Sequence, residues 1–553
     1  MSPRSVSAGL RPRRGPAIVL ALIAAYAVLW PLLASSGMRE SNYDTARTAP
    51  GWPHVMGTDT LGFDVSVQVA EALRVSLVVA LGAALVATVL GLAVGTAAAS
   101  LGGRADRLLM RVTDAVASVP HLLAAIVVVA MFRGSVTAIL IALALTHWPT
   151  VARVVRAETQ AVLASEYVAC SRVAGASSTQ IVRHHVLSAV APQTALAVTM
   201  LVPHAIWHES TLSFLGIGLR PEQASLGTLI ATSRAGLLTG QWWPLVFPSI
   251  FLVVLTLALS SLYAKRTRGA SAPPALVEAE QAGSEEPSDE ASGARDSGHR
   301  AALRLEHVSV RRSRGEQTTL ACDDISFAVA AGEVAALVGE SGAGKSTLVA
   351  ACCGLVPRDA RVEGRIVAGD VVVDPHRPGS ASAQVGHVPQ DVSDAFTPTR
   401  RLRGQIEEVH RRHDGARDLA ELCELVHLDE NLLERFPHQL SGGQLARAAL
   451  VAALASEPRV LVADEPTAGL DPELASQLLA VLRGIADDAG VAVLVVTHEI
   501  DAVLSGDLVD RVAVLRDGVL VAHTEPAALA AETSDDYLRA LTATAARVGQ
   551  GER

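Results

Sequence analysis

From Val75 to Ser100 the chain runs 26 residues without a charged side chain. That run fixes what the amino-terminal half can be. At 1.5 Å per residue, a helix of this length crosses a hydrocarbon core of about 30 Å. Only a helix satisfies its own backbone polar groups there, because lipid offers no hydrogen-bond partners. Five further apolar segments share the region: Ile18–Ala34, Ala115–Phe132, Gly134–Ala152, Ala189–Leu219 and Trp242–Ala264. The third and fourth segments in chain order meet at Arg133-Gly134 and read as a tight helical hairpin. Basic residues set the orientation. Arg4, Arg11, Arg13 and Arg14 precede the first span, and Arg104, Arg107 and Arg111 follow the second. Arg153, Arg156, Arg172 and Arg183 follow the fourth, and Lys265, Arg266 and Arg268 follow the sixth. The alternate loops carry fewer, so six spans with both termini cytoplasmic fit the pattern. A basic start ahead of an apolar run also suits a signal peptide, but no convincing small-residue cleavage site follows Trp30-Pro31.

Composition narrows the classes. The chain is 50% hydrophobic and only 18% charged, against roughly 25% charged in soluble domains, which excludes a wholly soluble or disordered protein. A net charge of −10 argues against a partner read through nucleic-acid phosphates. At roughly 150 residues per domain, 553 residues leave room for three or four. Cys170, Cys322, Cys352, Cys353 and Cys423 show no metal-ligand spacing and read as free thiols. Residues 269–300 turn to Ala, Ser, Pro, Gly and Glu and read as a flexible acidic linker, with a reach of about 30 Å. Beyond it, residues 301–553 alternate short apolar runs (Glu333–Val338, Arg459–Ala463, Val491–Val496, Val512–Leu515) with helical stretches (Asp418–Val426, Pro472–Ala486), the rhythm of an α/β domain. The expected organisation is therefore a membrane domain over 1–268, the linker, and a soluble domain over 301–553.

The sharpest motif opens that last domain. Gly339-Glu340-Ser341-Gly342-Ala343-Gly344-Lys345-Ser346-Thr347 follows the apolar run Val334–Val338 and leads into a helix-prone stretch. This is a phosphate-binding loop in its strand–loop–helix setting, where backbone N–H groups close on phosphates at a helix amino terminus. Lys345 supplies a cation for the β- and γ-phosphates, and the Ser346 hydroxyl suits Mg²⁺. Lysine otherwise occurs only at Lys265. Its retention at 345 has a reason, since a compact ammonium is not replaced by a planar guanidinium. A second strand, Val460–Ala463, ends in Asp464-Glu465. Asp464 is placed to hold Mg²⁺ through water and Glu465 to take a proton from an attacking water.

With Leu440-Ser441-Gly442-Gly443-Gln444, Ala468-Gly469-Leu470-Asp471, His498 after Val495-Val496-Thr497, and Gln390 in Val388-Pro389-Gln390-Asp391, the carboxyl-terminal half resembles the ATP-binding cassette family. The resemblance implies a head-to-tail dimer of cassettes with ATP and Mg²⁺, in which Ser441, Gly442, Gly443 and Gln444 meet nucleotide held by the partner. It implies that Asp471 lies in the D-loop and that Ser346, Gln390 and Asp464 surround Mg²⁺. It further implies that Gln390 senses the γ-phosphate, and that His498 positions that phosphate and Glu465. Two positions depart from the pattern: Val310-Arg311-Arg312 stands where an adenine-stacking aromatic is usual, and Leu445-Ala446 replaces a polar pair.

Residues 164–190, with Glu166 and Gly175, resemble the EAA coupling loop of binding-protein-dependent importers, which in that family seats in a cassette groove beside the Q-loop. The competing reading is an ordinary solvated loop, and His184-His185 read as solvated surface. Ser188 stands where that family usually has Pro. Met56-Gly57-Thr58-Asp59-Thr60-Leu61-Gly62-Phe63-Asp64 and Glu209–Leu219 resemble C-type permeases of the dipeptide/oligopeptide/nickel import family, and Tyr537-Leu538-Arg539-Ala540-Leu541 is similar to the end of their ATPases. No Cys follows Cys423, so no iron–sulfur cluster is expected. His204, His208 and Glu209 sit inside an apolar span and are candidates for a substrate path. Contact with a metal or metal-chelate substrate competes there with helix packing or water-facing residues that line a path, and the second reading is favoured.

The resemblance implies a type I importer permease fold followed by a P-loop ATPase. It also implies ATP-driven uptake of peptides, nickel or metal chelates across the plasma membrane. The expected partners are a second permease, a second cassette that can be fused to it, and an extracellular solute-binding protein. An exporter homodimer, or a cassette that gates a partner channel, are the alternatives.

Overall fold

The computed structural model describes residues 14–131, 135–219, 223–263 and 301–539, apart from 315–316, 414–416, 469, 471, 499, 501–502, 504–507 and 532–536. The Arg133-Gly134 joint, the residues 269–300 read as a linker, and the basic residues before Arg14 and after Tyr263 lie outside these. The chain falls into two compact units. One is residues 1–160 with 190–286, and the other is 161–189 with 287–553.

In the first unit, helix α1 (Arg14–Leu33) precedes α2 (Val65–Leu101). Asp64 caps α2, its carboxylate accepting from the Ser66 and Val67 amides, which supplies the orphan donors of a helix start. Then come α3 (Gly103–Ser118), α4 (His121–Met131) and α5 (Val136–Leu163). The expected third span is not one helix: α3 and α4 meet at an 85° bend. Pro120 explains it, because proline pushes the residue before it out of helical geometry, and Val119 is extended at ψ 127°. Among the described residues five helices are long and apolar enough to cross a membrane, or six if the bent pair counts as one.

A helix over Ser178–Phe214, here α7, follows α6 (Glu166–Val173) and contains a π-helical turn at Val182–Val186. Ser188 continues it, donating to the His184 and His185 carbonyls. Helices α8 (Leu226–Leu237) and α9 (Trp243–Tyr263) complete the unit. Arg156 on α5 grips Asp106 on α3 with two bonds of 2.6 Å, a bidentate, charge-assisted pair. The pair Gly91 and Gly95 lets α2 and α5 touch backbone to backbone. A Cβ at Gly91 would stand 2.9 Å from the Trp148 carbonyl oxygen, and one at Gly95 would stand 2.5 Å from that of Ala152. Small residues four apart are the means by which membrane helices approach closely.

The second unit builds two sheets. Strands β1 (Ala301–Arg314), β2 (Gln317–Ala330), β4 (Arg361–Ala368) and β5 (Val371–Val372) form an antiparallel sheet of order β2-β1-β4-β5. The other has the order β10-β9-β3-β8-β7-β6. It comprises β3 (Val334–Val338), β6 (Val385–Val388), β7 (Val460–Asp464), β8 (Ala492–Thr497), β9 (Arg511–Arg516) and β10 (Val519–Thr524). Its members are parallel except for β10. Strands β3, β7 and β8 are buried along their whole length, as parallel strands covered on both faces must be. Val334, Ala336 and Val338 of β3 join one core layer, and Ala335 and Leu337 the other, the period of two at work.

Replacing Gly95 by Leu is expected to force α2 and α5 apart at a cost of about 1–3 kcal/mol, read as a lower thermal midpoint of the detergent-solubilised chain. An unchanged midpoint would show that the two helices do not depend on this approach.

Candidate nucleotide site and coupling contact

Strand β3 delivers the phosphate loop, and α10 (Lys345–Cys352) receives it. Two glycines are obligatory. A Cβ at Gly339 would collide with the Leu515 carbonyl oxygen, and one at Gly344, whose φ is +100°, with that of Ala321. The loop folds over Lys345, whose Nζ donates to the carbonyls of Gly339 (2.6 Å) and Glu340 (2.9 Å). Burial lowers the Lys345 pKa, while Glu465 and Asp464 pull it back up. Ser341, Gly342 and Ser346 are exposed beside it, and Ala343 is buried. Thr347, the last residue of the motif, lies in the first turn of α10.

Strand β7 places Asp464 and Glu465 opposite. Burial, then the neighbouring Glu465 charge, pushes the Asp464 carboxyl up to about 6, against an opposing pull from Lys345. Glu465 takes a positive φ of 45°, rare for a residue with a side chain, and its amide donates to the Val496 carbonyl of β8 at 2.9 Å. Its carboxylate is gripped from two sides. Gln390 Nε2 donates to Oε2 at 3.0 Å, and His498 Nδ1 stands 3.3 Å from Oε1. The sequence motifs therefore do converge, with Lys345, Asp464, Glu465, Gln390 and His498 in one place.

This constellation fits Mg²⁺. Two carboxylates share one buried ammonium, so the site is short of positive charge. Its remaining donors, the Ser346 hydroxyl, the Gln390 carbonyl and Asp464, are the hard oxygens that cation prefers.

After a short α12 (Leu419–Leu425), the signature segment forms the start of α13 (Gly442–Leu454). Ser441 and Gln444 make a reciprocal capping box, leaving Ser441 and Gly442 exposed. The departure at Leu445-Ala446 is explained: both side chains are buried, 6% and 1% exposed, in the core beneath that helix. Arg312 stands exposed on β1 opposite Thr319. Tyr537 lies under the Arg516 guanidinium, 4.8 Å from its ring centre. Gly469, Asp471, Ala540 and Leu541 are outside the described residues.

The loop between α5 and α7 is seated against the cassette, within the second unit. Val173 joins the cassette core. The Ala174 carbonyl accepts from Arg412 Nη1 (2.9 Å) and His413 Nε2 (3.0 Å) on α11 (Leu402–His413). Gly175, with φ +79°, has room for no side chain: a Cβ would stand 2.8 Å from Ser382 Oγ. His184 Nδ1 donates to Glu408 Oε1 at 2.6 Å. Burial opposes ionisation of Glu408, yet His184 and Arg400 hold its carboxyl below the ordinary value. His185 hydrogen-bonds Thr397 (2.6 Å) and Ser171 (2.9 Å) and is 4% exposed. The expectation of a solvated histidine pair is thus corrected: His185 is buried with a cassette partner in Thr397, and His184, though part-exposed, is bonded to Glu408. Loss of water against the cassette, then the charges of Asp394 and Asp391, raises the Glu166 carboxyl, which reaches the Asp391 backbone. Asp391 adjoins Gln390, so Glu166 of the loop and Glu465 are linked through Asp391 and Gln390. The polar α11 residues that meet the loop carry no motif, and sequence reasoning missed them.

In the membrane unit, Glu209 is fully buried and accepts from Ser76 (2.9 Å), Ser213 (2.9 Å) and Ser210 (3.4 Å). It ties α7 to α2. His208 meets His147 with ring centres 5.3 Å apart, and His147 stacks on His121 at 5.5 Å. His204 is exposed and hydrogen-bonds the Met200 carbonyl through Nδ1. Among the described residues no cluster of three His, Cys, Asp or Glu is arranged to hold a metal. His121 and His147 were missed, since they come from other helices.

Two family descriptions match the chain. Residues 70–269 match the binding-protein-dependent transport system inner membrane component, and residues 322–468 match the ABC transporter. The dipeptide transport system permease protein DppC of Bacillus subtilis (strain 168) is 32% identical over 244 residues, 44% of this chain and 76% of that protein. The oligopeptide transport system permease protein OppC of Escherichia coli (strain K12) is 34% identical, covering 43% of this chain and 79% of its own length. The methionine import ATP-binding protein MetN 2 of Rhodococcus jostii (strain RHA1) is 34% identical over 40% of this chain and 64% of its own. The chain belongs to the ABC transporters, joining a binding-protein-dependent permease domain to an ATP-binding cassette in one polypeptide. It is an integral membrane protein whose cassette binds and hydrolyses ATP.

The carboxyl of Asp464 is displaced upward from the ordinary value near 4 to about 6. The fold therefore disfavours its ionised form, and this destabilisation grows between those two pH values and is complete above them. Asp464→Asn is expected to raise the thermal midpoint of the nucleotide-free protein at pH 7.5 but not at pH 3.5. An equal gain at both pH values would remove the electrostatic explanation.

Proposed function

We propose that this chain is the fused permease and ATPase subunit of an importer that takes up peptides across the plasma membrane. Its cassette and both termini would lie in the cytoplasm, as the distribution of Arg and Lys favours. The observation that carries the coupling is the seated loop, with Glu166 beside Asp391 and Gly175 against Ser382. The peptide class is supported by the names of the dipeptide and oligopeptide permeases to which the membrane half is similar. Nickel or a metal chelate, carried by the same family, is the finer alternative for the solute. Assembly requires a second permease, a second cassette and an extracellular solute-binding protein.

In this reading Lys345 and the backbone of 339–347 bind the phosphates of ATP. Ser346, Gln390 and Asp464 would hold Mg²⁺, which when bound supplies neutralising charge at the phosphate oxygens. Glu465 takes the proton of the attacking water. Gln390 and His498 restrict the rotation of its carboxylate, so the base is already aimed when substrate arrives. Ser441, Gly442, Gly443 and Gln444, at the exposed start of α13, face the nucleotide of a second cassette, and Asp471 serves nucleotide binding as well.

Glu465→Gln is expected to keep ATP binding and lose about 10²–10⁴-fold in turnover at this site, measured with the partner's site inactivated. Unchanged turnover would remove Glu465 from the role of base. The importer reading itself is tested by purifying the tagged chain from its native membrane and identifying what accompanies it by mass spectrometry. A second permease, a second cassette and a solute-binding protein carrying peptide are expected. A stable homodimer that hydrolyses ATP alone would favour an exporter.

A further inference from the structure

The membrane unit contains a cavity of about 540 Å³, within the range of small-molecule sites. It lies where the loop before α2, the first turns of α2 and one side of α8 come together. Its polar lining is unusual in what is left over. Asp59 is consumed by the Leu61 amide (2.8 Å), the Phe63 amide (2.9 Å) and Gln68 Nε2 (2.9 Å). Asp64 is consumed by the start of α2 and by His54 at 2.7 Å. Glu71 and Arg39 line the same cavity, and neither has a hydrogen-bond or ion-pair partner among the described residues. Glu71 is half-buried and Arg39 is exposed at the rim. Close by, Gln241 is 5% exposed and its Oε1, buried, has no hydrogen-bond partner.

A buried amide oxygen without a donor is a standing cost. A carboxylate and a guanidinium that share a cavity without pairing present two opposite charges to whatever enters. An unmodified short peptide offers the complement: an ammonium at one end, a carboxylate at the other and amide N–H donors between. We infer that this cavity binds zwitterionic peptides during their passage, Glu71 receiving the α-ammonium, Arg39 the terminal carboxylate and Gln241 an amide N–H. This rests on the peptide-import reading above. It adds to that reading a binding place in the permease itself, and a requirement for free termini.

The test uses the full-length chain in lipid nanodiscs and isothermal titration with dialanine, N-acetyl-dialanine and dialanine amide. Dialanine is expected to bind saturably, and blocking either end to weaken binding about tenfold or more, as loss of a charge-assisted contact does. Glu71→Gln should weaken dialanine by a similar factor while leaving N-acetyl-dialanine unaffected, and Arg39→Gln should do the same with respect to the amide. The capped peptides probe the unaltered protein, so the outcome does not hang on either variant folding. Dialanine binding whose end-preferences survive both substitutions would overturn the assignment. So would a chain that binds no dialanine although the assembled complex imports it, a result that leaves peptide import intact. Glu71-dependent binding without uptake of any peptide by the complex would instead sustain the cavity and remove the importer reading.

Discussion

Coupling, as proposed, depends on a short polar loop that has exchanged water for cassette side chains. The loop leaves α5, turns at Gly175 and returns as α7, and its contacts are of the kind that specify geometry. They include a backbone carbonyl clamped by Arg412 and His413, a charge-assisted bond from His184 to Glu408, and a histidine bonded at both nitrogens. Glycine at 175, and at 379 where a Cβ would meet the Arg172 carbonyl at 2.7 Å, allows the two backbones to come this close.

The seat of the loop lies next to the hydrolytic machinery. Glu166 reaches the Asp391 backbone, Asp391 follows Gln390 in the chain, and Gln390 holds the Glu465 carboxylate. In the proposed mechanism a shift of Gln390 and Asp391 would be felt both by Glu465 and by the loop. Asp464 and Glu465 repel one another, and the Lys345 charge offsets both. Strain and uncompensated charge at such a place are expected of a catalytic site rather than of a scaffold.

How much of this was legible beforehand follows from how local each signal is. The phosphate loop could be read because its chemistry demands Gly339, Gly344, Lys345 and Ser346 at fixed spacing, and the structure shows why the two glycines tolerate no Cβ. The spans could be read from length and hydropathy, although the break at Pro120 needed more weight than the apolar run around it. The pairing of His184 with Glu408 and of His185 with Thr397 joins positions 224 and 212 residues apart, and no local pattern announces it. A polar, charged loop looks solvated in sequence whether water or another protein surface satisfies it. Likewise the buried pair Leu445-Ala446 looked anomalous only until the core beneath α13 was seen to receive it.

The most direct measurement is the stimulation of ATP hydrolysis by the loaded solute-binding protein in the reconstituted complex, comparing the parent with Glu408→Ala and with Glu408→Ala combined with His184→Ala. If the seated loop carries the signal, the single substitution removes most of the stimulation while unstimulated hydrolysis persists. Adding His184→Ala then costs little more, because both residues serve one contact. Full stimulation in the Glu408→Ala protein would contradict the account.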